Sequence, residues 1–312
     1  MLYLGRQAGR NSLQTQRILR MRNPAIKKNP ITVTIFLLVI GSIMLFPLIV
    51  TITGSFMTEQ AILVNYSSNV TSFDLVDGIT ERYKNILLIP NPVTLKQYAG
   101  VLIDQPSFLV LIFNSLKITL PVTLGALVFG LLTAYGFTIW QWKRKEQLFL
   151  VFIVVMLMPL QAVLVPNYII AAILGIQKNY LAIILPGIFS PFGVFLARQS
   201  MKAIPQAYFE SARIDGAGNI NIFFYIIIPQ LKSTIAAICM LTFIEYWNVV
   251  EQAVIFINDY RLEPLSVYLS RLADGRNGLI FAASCVYMFL PIWFLLAGQK
   301  DLEKGIELSG VK

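Results

Sequence analysis

Four polar residues recur at helical spacing inside one of the most apolar parts of the chain. They are Thr242, Glu245, Asn248 and Gln252. A period of 3.6 residues places all four on one face of a helix. Counted from Pro229 at about 1.5 Å per residue, Glu245 lies about 24 Å along that helix, within a bilayer's roughly 30 Å apolar layer. A carboxylate at that depth is costly and indicates a functional site.

This polar stripe has the chemistry to bind hydroxyl-rich molecules. Carboxylates and amides form hydrogen bonds, and Tyr246 and Trp247 add aromatic surface beside them. The same groups could instead hydrogen-bond a companion subunit, as polar residues in helix bundles often do. The stripe therefore predicts a solute path or a subunit interface.

Several residue types that enzymes depend on are absent. The sequence contains no histidine, which excludes Ser-His-Asp and Cys-His catalysis and His-ligated metal sites. Its two cysteines, Cys239 and Cys285, fall inside predicted membrane helices, where thiols usually pack as small apolar groups. No G-x-x-x-x-G-K-[ST] loop occurs, so the chain is not expected to bind ATP itself. We therefore predict a chain that is not an enzyme and binds no metal or cofactor.

The composition predicts an all-α polytopic membrane protein. Hydrophobic residues make up 56% of the chain and charged residues only 13%, whereas soluble domains have about 25% charged residues. Six apolar runs approach or exceed the roughly 20 residues that a membrane-spanning helix needs. They cover residues 31–53, 108–139, 147–174, 181–198, 229–257 and 279–298.

The third apolar run contains two prolines, Pro159 and Pro166, followed directly by Asn167 and Tyr168. A proline removes a helix hydrogen bond and can kink the helix. This pattern predicts a bent helix with Asn167 and Tyr168 beside a cavity on the solute path. The alternative is a kink that only improves helix packing.

Basic residues predict the orientation in the membrane. Those before the first apolar run are Arg6, Arg10, Arg17, Arg20, Arg22, Lys27 and Lys28. Others fall in alternate loops, between the second and third runs and between the fourth and fifth. By the positive-inside rule, both termini and these loops are cytoplasmic. The net charge of +9 thus reflects orientation, and no nucleic-acid partner is expected.

This orientation divides the chain into five parts. They are a basic cytoplasmic segment (1–30), a first span (31–53), an outer loop (54–107), a five-helix core (108–298) with a cytoplasmic loop at 200–229, and a cytoplasmic tail (299–312). The sequence suggests no role for the outer stretch 59–89.

The cytoplasmic loop predicts a helix–turn–helix. A first helix begins after Pro205 and ends near Ile214, because proline is favoured at the start of a helix. Asp215 and Gly216 form a turn in which glycine can adopt positive φ, and a second helix runs from about Asn219 towards Pro229. The small residues Ser211, Ala212 and Ala217 would let a partner surface approach closely. The alternative is an ordinary amphipathic loop.

The same loop resembles the EAA motif of the membrane subunits of binding-protein-dependent ABC importers. The resemblance rests on Glu210-Ser211-Ala212, Asp215-Gly216-Ala217, Phe224 and Pro229. Further matches to the carbohydrate branch are Asn114-Ser115-Leu116, Met158-Pro159, Trp247-Asn248 and the tail Gly305…Gly310-Val311-Lys312. They extend from about residue 92 to 312 and are most similar to the six-span maltose-type permease. Ser211 replaces an alanine, and Ser233 stands where a second proline is common, so a gentler bend is expected there.

The resemblance implies a type I ABC importer fold with six transmembrane helices in a bacterial cell membrane. It further implies that ATP and Mg²⁺ bind to two partner ATPase subunits, which dock on Glu210, Ser211, Ala212, Asp215, Gly216 and Ala217. A second permease subunit would complete a heterodimer, and an extracellular or periplasmic solute-binding protein would deliver a carbohydrate, in particular an oligosaccharide.

Two further contacts are implied by the resemblance. The outer loop with Arg261, Glu263 and Pro264 would dock the solute-binding protein, although a solvated connector is the alternative. Gly310 and Lys312 near the carboxyl terminus would reach the ATPase. In maltose-type pairs the other permease makes most sugar contacts, so path lining or subunit contact is favoured for the polar stripe over direct binding.

Three other functions stay open on sequence grounds. The first is an importer permease for a non-sugar solute. The second is an ion-coupled secondary transporter, although such proteins usually contain repeated halves with broken helices, and no inverted repeat is evident. The third is a membrane scaffold or sensor, which the lack of a sizeable soluble domain disfavours.

Overall fold

The computed structural model describes residues 30–66, 89–271 and 277–310, and these residues form helices and connecting turns without a strand. The helices are α1 Pro30–Ser55, α2 Glu59–Tyr66, α3 Lys96–Leu102, α4 Pro106–Ile139, α5 Lys145–Met156, α6 Leu160–Ile173, α7 Leu181–Ile188, α8 Pro191–Lys202, α9 Gln206–Ile214, α10 Asn219–Asn221, a π-helical segment Ile222–Ile227, α11 Ile228–Gln230, α12 Lys232–Trp247, α13 Glu251–Phe256, α14 Leu265–Arg271 and α15 Asn277–Gly310.

Six stretches of these helices are long and apolar enough to span a membrane, if two bent pairs are each counted as one span. Four are not sharply bent, although the third contains the break between α7 and α8: Val33–Ser55, Pro106–Ile139, Leu181–Lys202 and Gly278–Lys300. The other two are α5 with α6, bent by 103°, and Asn219–Gln230 with α12, bent by 77°. The predicted all-α membrane fold is confirmed, and two of its six spans are sharply bent.

The chain divides into two units, residues 1–50 and 51–312. Of the first unit the structure describes the part of α1 up to Val50, whose side chains are almost all exposed and apolar. A helix that is apolar on every side is suited to lipid or to another apolar surface. The second unit contains the remaining helices.

Helices α4, α8, α12 and α15 form the centre of the second unit. Helices α4 and α8 approach closely at Gly130 and Gly193, where a side chain on Gly130 would lie 3.0 Å from the Gly193 carbonyl carbon. Small residues at such crossings allow membrane helices to pack backbone against backbone. Farther along, the stacked rings of Phe243 and Trp247 join α12 to α15 through Phe294 and Tyr287. These contacts hold the interrupted spans against continuous ones.

The bend in the third span lies at Pro159. Helix α5 ends at Met156, and α6 begins at Leu160 with Pro159 in an extended conformation before it. Pro166 lies inside α6 without interrupting it. The predicted bend is therefore present, and the first of the two prolines marks it.

The fifth span differs from the prediction at both ends. Helix α12 ends at Trp247, ten residues before the predicted end at Ile257, and residues 251–256 form the separate helix α13. The chain turns by 77° between Gln230 and Lys232, and the expectation that a second proline in place of Ser233 would bend it more sharply stays a prediction. The sixth predicted span agrees with Gly278–Lys300, and helix α15 continues beyond it to Gly310.

Candidate functional site

A cavity lies where the bend between α5 and α6 meets the break between α12 and α13. Its volume is about 250 Å³, and its lining residues are Leu160, Glu245, Tyr246, Asn248, Val249, Val250, Glu251 and Gln252. Leu160 begins α6 after the first interruption, and the others surround the break between α12 and α13. Within a membrane, non-helical backbone is tolerated where it is buried in protein or lines a water-filled cavity. The position of both breaks therefore fits a solvated site.

The break after Trp247 is held by side chains from two helices. Asn248 donates from Nδ2 to the Ile244 carbonyl at 2.8 Å, which satisfies a carbonyl at the end of α12. The Tyr287 hydroxyl lies 2.6 Å from Asn248 Oδ1 and 3.0 Å from the Trp247 carbonyl. The indole of Trp247 donates in return to the Tyr287 carbonyl at 3.2 Å. Tyr287 thus fixes the orientation of the Asn248 amide at the cavity.

The cavity is rich in oxygen acceptors. Gln161 donates from Nε2 to both carboxylate oxygens of Glu251, at 3.1 and 3.3 Å, and so links α6 to α13. In the described part of the chain, Gln252 Oε1 is buried without a hydrogen-bond partner. The Glu245 side chain is exposed in this subunit and belongs to none of the ion pairs among described residues. The site can accept hydrogen bonds from a bound molecule.

The structure brings together only part of the predicted path. Glu245, Asn248 and Gln252 line the cavity. Thr242 and Trp247 are 4% and 1% exposed, so neither faces a path or a second subunit, which corrects the prediction. The 3.6-residue period fails as a guide here because the helix ends at Trp247.

Asn167 and Tyr168 also lie elsewhere. Asn167 is half-buried in α6 and Tyr168 is exposed, with its ring stacked 6.2 Å from that of Phe256. Neither residue lines this cavity, and their assignment to the solute path or a subunit interface stays a prediction. The residue of α6 that reaches the cavity is Leu160, because the bend lies at Pro159.

Three functional candidates escaped sequence reasoning. Glu251 lies outside the predicted polar stripe, yet it lines the cavity. Gln161 follows the proline bend by two residues, a position that marks it as a candidate in retrospect. Tyr287 carries no local signal, since only the packing of α15 on α12 brings it to Asn248.

A second candidate site is the helical module formed by residues 205–230. Helix α9 ends at Ile214, Gly216 adopts φ +78°, and α10 restarts at Asn219. The Gly216 amide donates to the Arg213 carbonyl at 3.1 Å, and the Ala217 amide donates to that of Ala212 at 2.9 Å. These bonds close the C-terminus of α9 as a left-handed cap. The predicted helix–turn–helix is present.

One face of the module packs on the protein's own core. Phe209, Ala212 and Ile222 are buried in one cluster with residues of α4, α8 and α12, and Ala217 packs beside them. The Tyr135 hydroxyl of α4 also donates to the Asn219 carbonyl at 2.8 Å. Ala212 therefore faces inward, which corrects its assignment to a small-residue docking face.

The opposite face of the module exposes polar and large apolar side chains. Glu210, Ser211 and Asp215 are exposed, and Ser211 donates to the Ala207 carbonyl at 2.9 Å. Ile214 and Ile220 are 85% and 73% exposed. Exposed apolar groups rimmed by polar ones are typical of surfaces that another protein covers.

Beyond Asn221 the module differs from a regular helix. Residues 222–227 form a π-helical segment, and α11 carries the chain past Pro229 to Gln230. Such segments are rare and often occur at functional sites. Phe224 and Tyr225 of this segment are 59% and 79% exposed.

A side chain of α4 holds the loop that is predicted to dock a binding protein. Asn114 of α4 donates from Nδ2 to the carbonyls of Arg261 and Glu263, at 2.8 and 3.1 Å. Glu263 is 7% exposed and pairs with Arg271 at 2.7 Å, and Pro264 is also buried. Of the three predicted contact residues only Arg261 is exposed, so Glu263 and Pro264 are structural in this subunit.

The predicted carboxyl-terminal contact lies at the edge of what the structure describes. Gly310 is the last residue of α15, and Lys312 lies outside the described residues. Residues 67–88 of the outer loop lie outside them too. The predicted ATPase contact of Gly310 and Lys312 therefore stays a prediction.

Comparison with known proteins assigns the family. Residues 126–299, more than half of the chain, match the model described as binding-protein-dependent transport system inner membrane component. The arabinooligosaccharides transport system permease protein AraQ of Bacillus subtilis (strain 168) is 26% identical over 293 residues, covering 93% of this chain and 98% of AraQ.

Two further relatives are also named as permease proteins of transport systems. The lactose transport system permease protein LacG of Rhizobium radiobacter is 31% identical over 203 residues, covering 64% of this chain and 74% of LacG. The sn-glycerol-3-phosphate transport system permease protein UgpE of Yersinia enterocolitica is 26% identical over 229 residues, covering 70% of this chain and 82% of UgpE.

The solved structure shows the fold. A bacterial ABC transporter involved in the import of the acidic polysaccharide alginate has a chain that superposes with a TM-score of 0.74 at 19% identity. The match covers 89% of this chain and 98% of that chain. With the interrupted spans and the exposed module, these matches show that this integral membrane chain belongs to the family of binding-protein-dependent transport system inner membrane components.

Proposed function

We propose that this chain is a permease subunit of an ATP-driven importer that carries a carbohydrate, of oligosaccharide size, across the bacterial cell membrane. The observation that carries this assignment is the similarity to AraQ over nearly the full length of both chains. LacG, whose name also specifies a sugar, supports the same solute class. The chain itself performs transport and carries out no chemical step.

The exposed face of the module is the proposed docking site for an ATPase subunit. Ile214 and Ile220 offer apolar surface, and Glu210, Ser211, Asp215 and Gly216 surround it. The inward face is buried among α4, α8 and α12. A force on the module would therefore move these helices together with it. ATP-driven movement of the docked subunits would then alternate the access of the cavity.

The remaining components follow from this proposal. Two ATPase subunits bind ATP and Mg²⁺, so this chain needs no cofactor of its own. A second permease completes the translocation path, and an extracellular or periplasmic binding protein delivers the solute near Arg261. Both termini and the module lie on the cytoplasmic side, as the basic residues predict.

A second candidate is a permease for a non-sugar solute. It is favoured by the similarity to UgpE, whose name specifies sn-glycerol-3-phosphate and which matches 70% of this chain. The two candidates differ in solute charge, because a phosphate ester is anionic and a neutral sugar is not.

Co-purification followed by reconstitution tests the proposal. The full chain is isolated from its native membrane under mild detergent, and bound proteins are identified by mass spectrometry. We expect a second permease and an ATPase, and we expect the reconstituted complex with its binding protein to take up labelled oligosaccharide only with ATP. A chain that purifies without an ATPase, or uptake that needs an ion gradient in place of ATP, would contradict it.

A further inference from the structure

The charge of the cavity bears on which solute the importer carries. Its polar lining consists of two carboxylates, Glu245 and Glu251, two amides, Asn248 and Gln252, and the Tyr246 phenol. No lysine or arginine is among the residues that line it. In this part of the structure the cavity therefore carries only negative formal charge.

The hydrogen-bonding pattern agrees with the charge. An ionised carboxylate accepts hydrogen bonds and donates none. Gln252 Oε1 is buried and has no partner within the described residues. The Gln161 amide already donates to Glu251, and the Asn248 amide donates to Ile244. Acceptors, above all the oxygens of the two carboxylates, therefore predominate over the donors that remain, the Tyr246 hydroxyl and the Gln252 amide.

The negative charge of the cavity and its excess of acceptors distinguish between the solute classes that the relatives' names specify. Each hydroxyl of a neutral sugar can donate one hydrogen bond to an oxygen acceptor, whereas phosphate and carboxylate groups offer further acceptors. Specific sites commonly reject a wrong ligand by placing a like charge or an unpaired polar group against it. A phosphate ester or an acidic sugar would meet both penalties beside Glu245 and Glu251.

The size of the cavity indicates a partial site. Its volume of about 250 Å³ is below the roughly 300–1,000 Å³ of typical ligand pockets. One side opens away from this chain, where Glu245 is exposed. A second permease subunit would close that side and contact the remainder of the solute.

We infer that this cavity accepts an uncharged, hydroxyl-rich carbohydrate and that Glu245 and Glu251 exclude acidic solutes. The inference rests on the proposed importer function and specifies its substrate class. Glu245 acts as a specificity residue that accepts hydrogen bonds from solute hydroxyls, while Glu251 is held in place by Gln161.

Uptake by the complete importer, reconstituted with its binding protein and with ATP inside the vesicles, tests the inference. The solutes are an arabino-oligosaccharide and lactose, which are neutral, and glycerol 3-phosphate and an alginate oligosaccharide, which are acidic. We expect ATP-dependent uptake of a neutral solute at a rate at least about tenfold that of either acid, which corresponds to about 1.4 kcal/mol. Faster uptake of an acid overturns the inference and leaves the importer function intact. ATP-dependent uptake of none of the four contradicts the importer function and the inference together.

Variants of Glu245 then test its role as a specificity residue. Glu245→Gln keeps an acceptor and should lower neutral-solute uptake by about threefold or less, whereas Glu245→Lys should lower it by more than about tenfold. Asp104→Lys changes the charge equally at an exposed position outside the cavity and serves as the control. Loss of the second permease from the purified Glu245→Gln complex would overturn the inference, because Glu245 would then be an interface residue. Equal uptake by Glu245→Lys and wild type would overturn it as well.

Discussion

Arg198 and Glu146 join α8 to α5 through an ion pair in which the Arg198 Nη2 atom lies 2.5 Å from Glu146 Oε1. The Arg198 side chain is fully buried, whereas that of Glu146 is 62% exposed. The guanidinium carbon lies 3.8 Å from the centre of the Phe149 ring. Within the described residues, its Nε and Nη1 atoms have no hydrogen-bond partner. Among the described residues, Glu146 is thus the one carboxylate paired with this buried cation, which lies four residues before α8 ends.

Removing Glu146 tests how much that ion pair contributes to stability. Glu146→Ala leaves the guanidinium buried without a carboxylate, and we expect the free energy of unfolding to fall by about 1.5–3 kcal/mol, the range for hydrogen bonds to charged groups. Thermal unfolding of the purified chain in detergent measures the loss.

A second substitution separates the buried charge from simple loss of contacts. The double variant Glu146→Ala with Arg198→Met should be more stable than Glu146→Ala alone, because it removes the uncompensated charge and keeps apolar packing on Phe149. Lys202→Ala is the control, since Lys202 is half-exposed and lies 4.0 Å from Glu146. A double variant less stable than the single one would contradict this account.

A substitution at Gly216 tests whether the turn of the module contributes to coupling between ATP hydrolysis and uptake. Gly216→Ala places a Cβ at φ +78°, a conformation that costs roughly 1–2 kcal/mol for residues other than glycine. No atom lies within 4 Å of that Cβ, so any effect comes from the backbone and not from a clash. We expect less solute transported per ATP hydrolysed, which paired uptake and ATPase assays in proteoliposomes measure.

Gly218 provides the matched control for this turn. It lies two residues away with φ −71°, and a Cβ there also has open space. Gly218→Ala should therefore keep the wild-type ratio of uptake to ATP hydrolysis. Equal ratios in both variants and the wild type would refute the role of the turn in coupling.

Some breaks in the spans could be read from the sequence and others could not. Proline at position 159 removes a backbone donor, so the bend between α5 and α6 was predictable. The end of α12 at Trp247 has no such signal, since Val249 and Val250 continue the apolar run. That end depends on the Tyr287 hydroxyl beside Asn248, a contact between residues far apart in the chain.

The burial of a charged residue also depends on contacts between residues far apart in the chain, and the sequence does not predict it. Arg198 was placed at the end of the fourth span, where a basic residue usually marks the cytoplasmic side. Its complete burial depends on Phe137 and Phe149 from two other helices, and only tertiary structure brings these rings together. The module was easier to predict because proline, glycine and asparagine signals lie within its own residues.

Exposed isoleucines of the module test the proposed ATPase contact. The double variant Ile214→Ser with Ile220→Ser changes side chains that are 85% and 73% exposed, so the fold should be retained within about 0.5 kcal/mol. We expect loss of the ATPase from the purified complex, because interface contacts centre on a few apolar anchors. Quantitative co-purification measures the loss.

The control for these isoleucines is Ile103→Ser. Ile103 is 74% exposed at the end of α3, outside the module. Its substitution should leave ATPase binding at the wild-type level. If the double variant keeps the same amount of ATPase as Ile103→Ser, the exposed face is not the docking site.

Asn114 tests how the outer loop is positioned. Its side chain is 1% exposed, and Asn114→Ala would leave the carbonyls of Arg261 and Glu263 without the donor that they share. A buried polar group without a partner costs about 1–3 kcal/mol, so we expect a lower unfolding temperature and weaker affinity for the binding protein that we propose docks near Arg261. Ser270→Ala is the control because its hydroxyl bonds only the local Val267 carbonyl. Thermal unfolding and titration of the binding protein onto the reconstituted importer give the two readouts. Lower stability with unchanged affinity would show that Asn114 supports the fold alone and that the loop does not dock the binding protein.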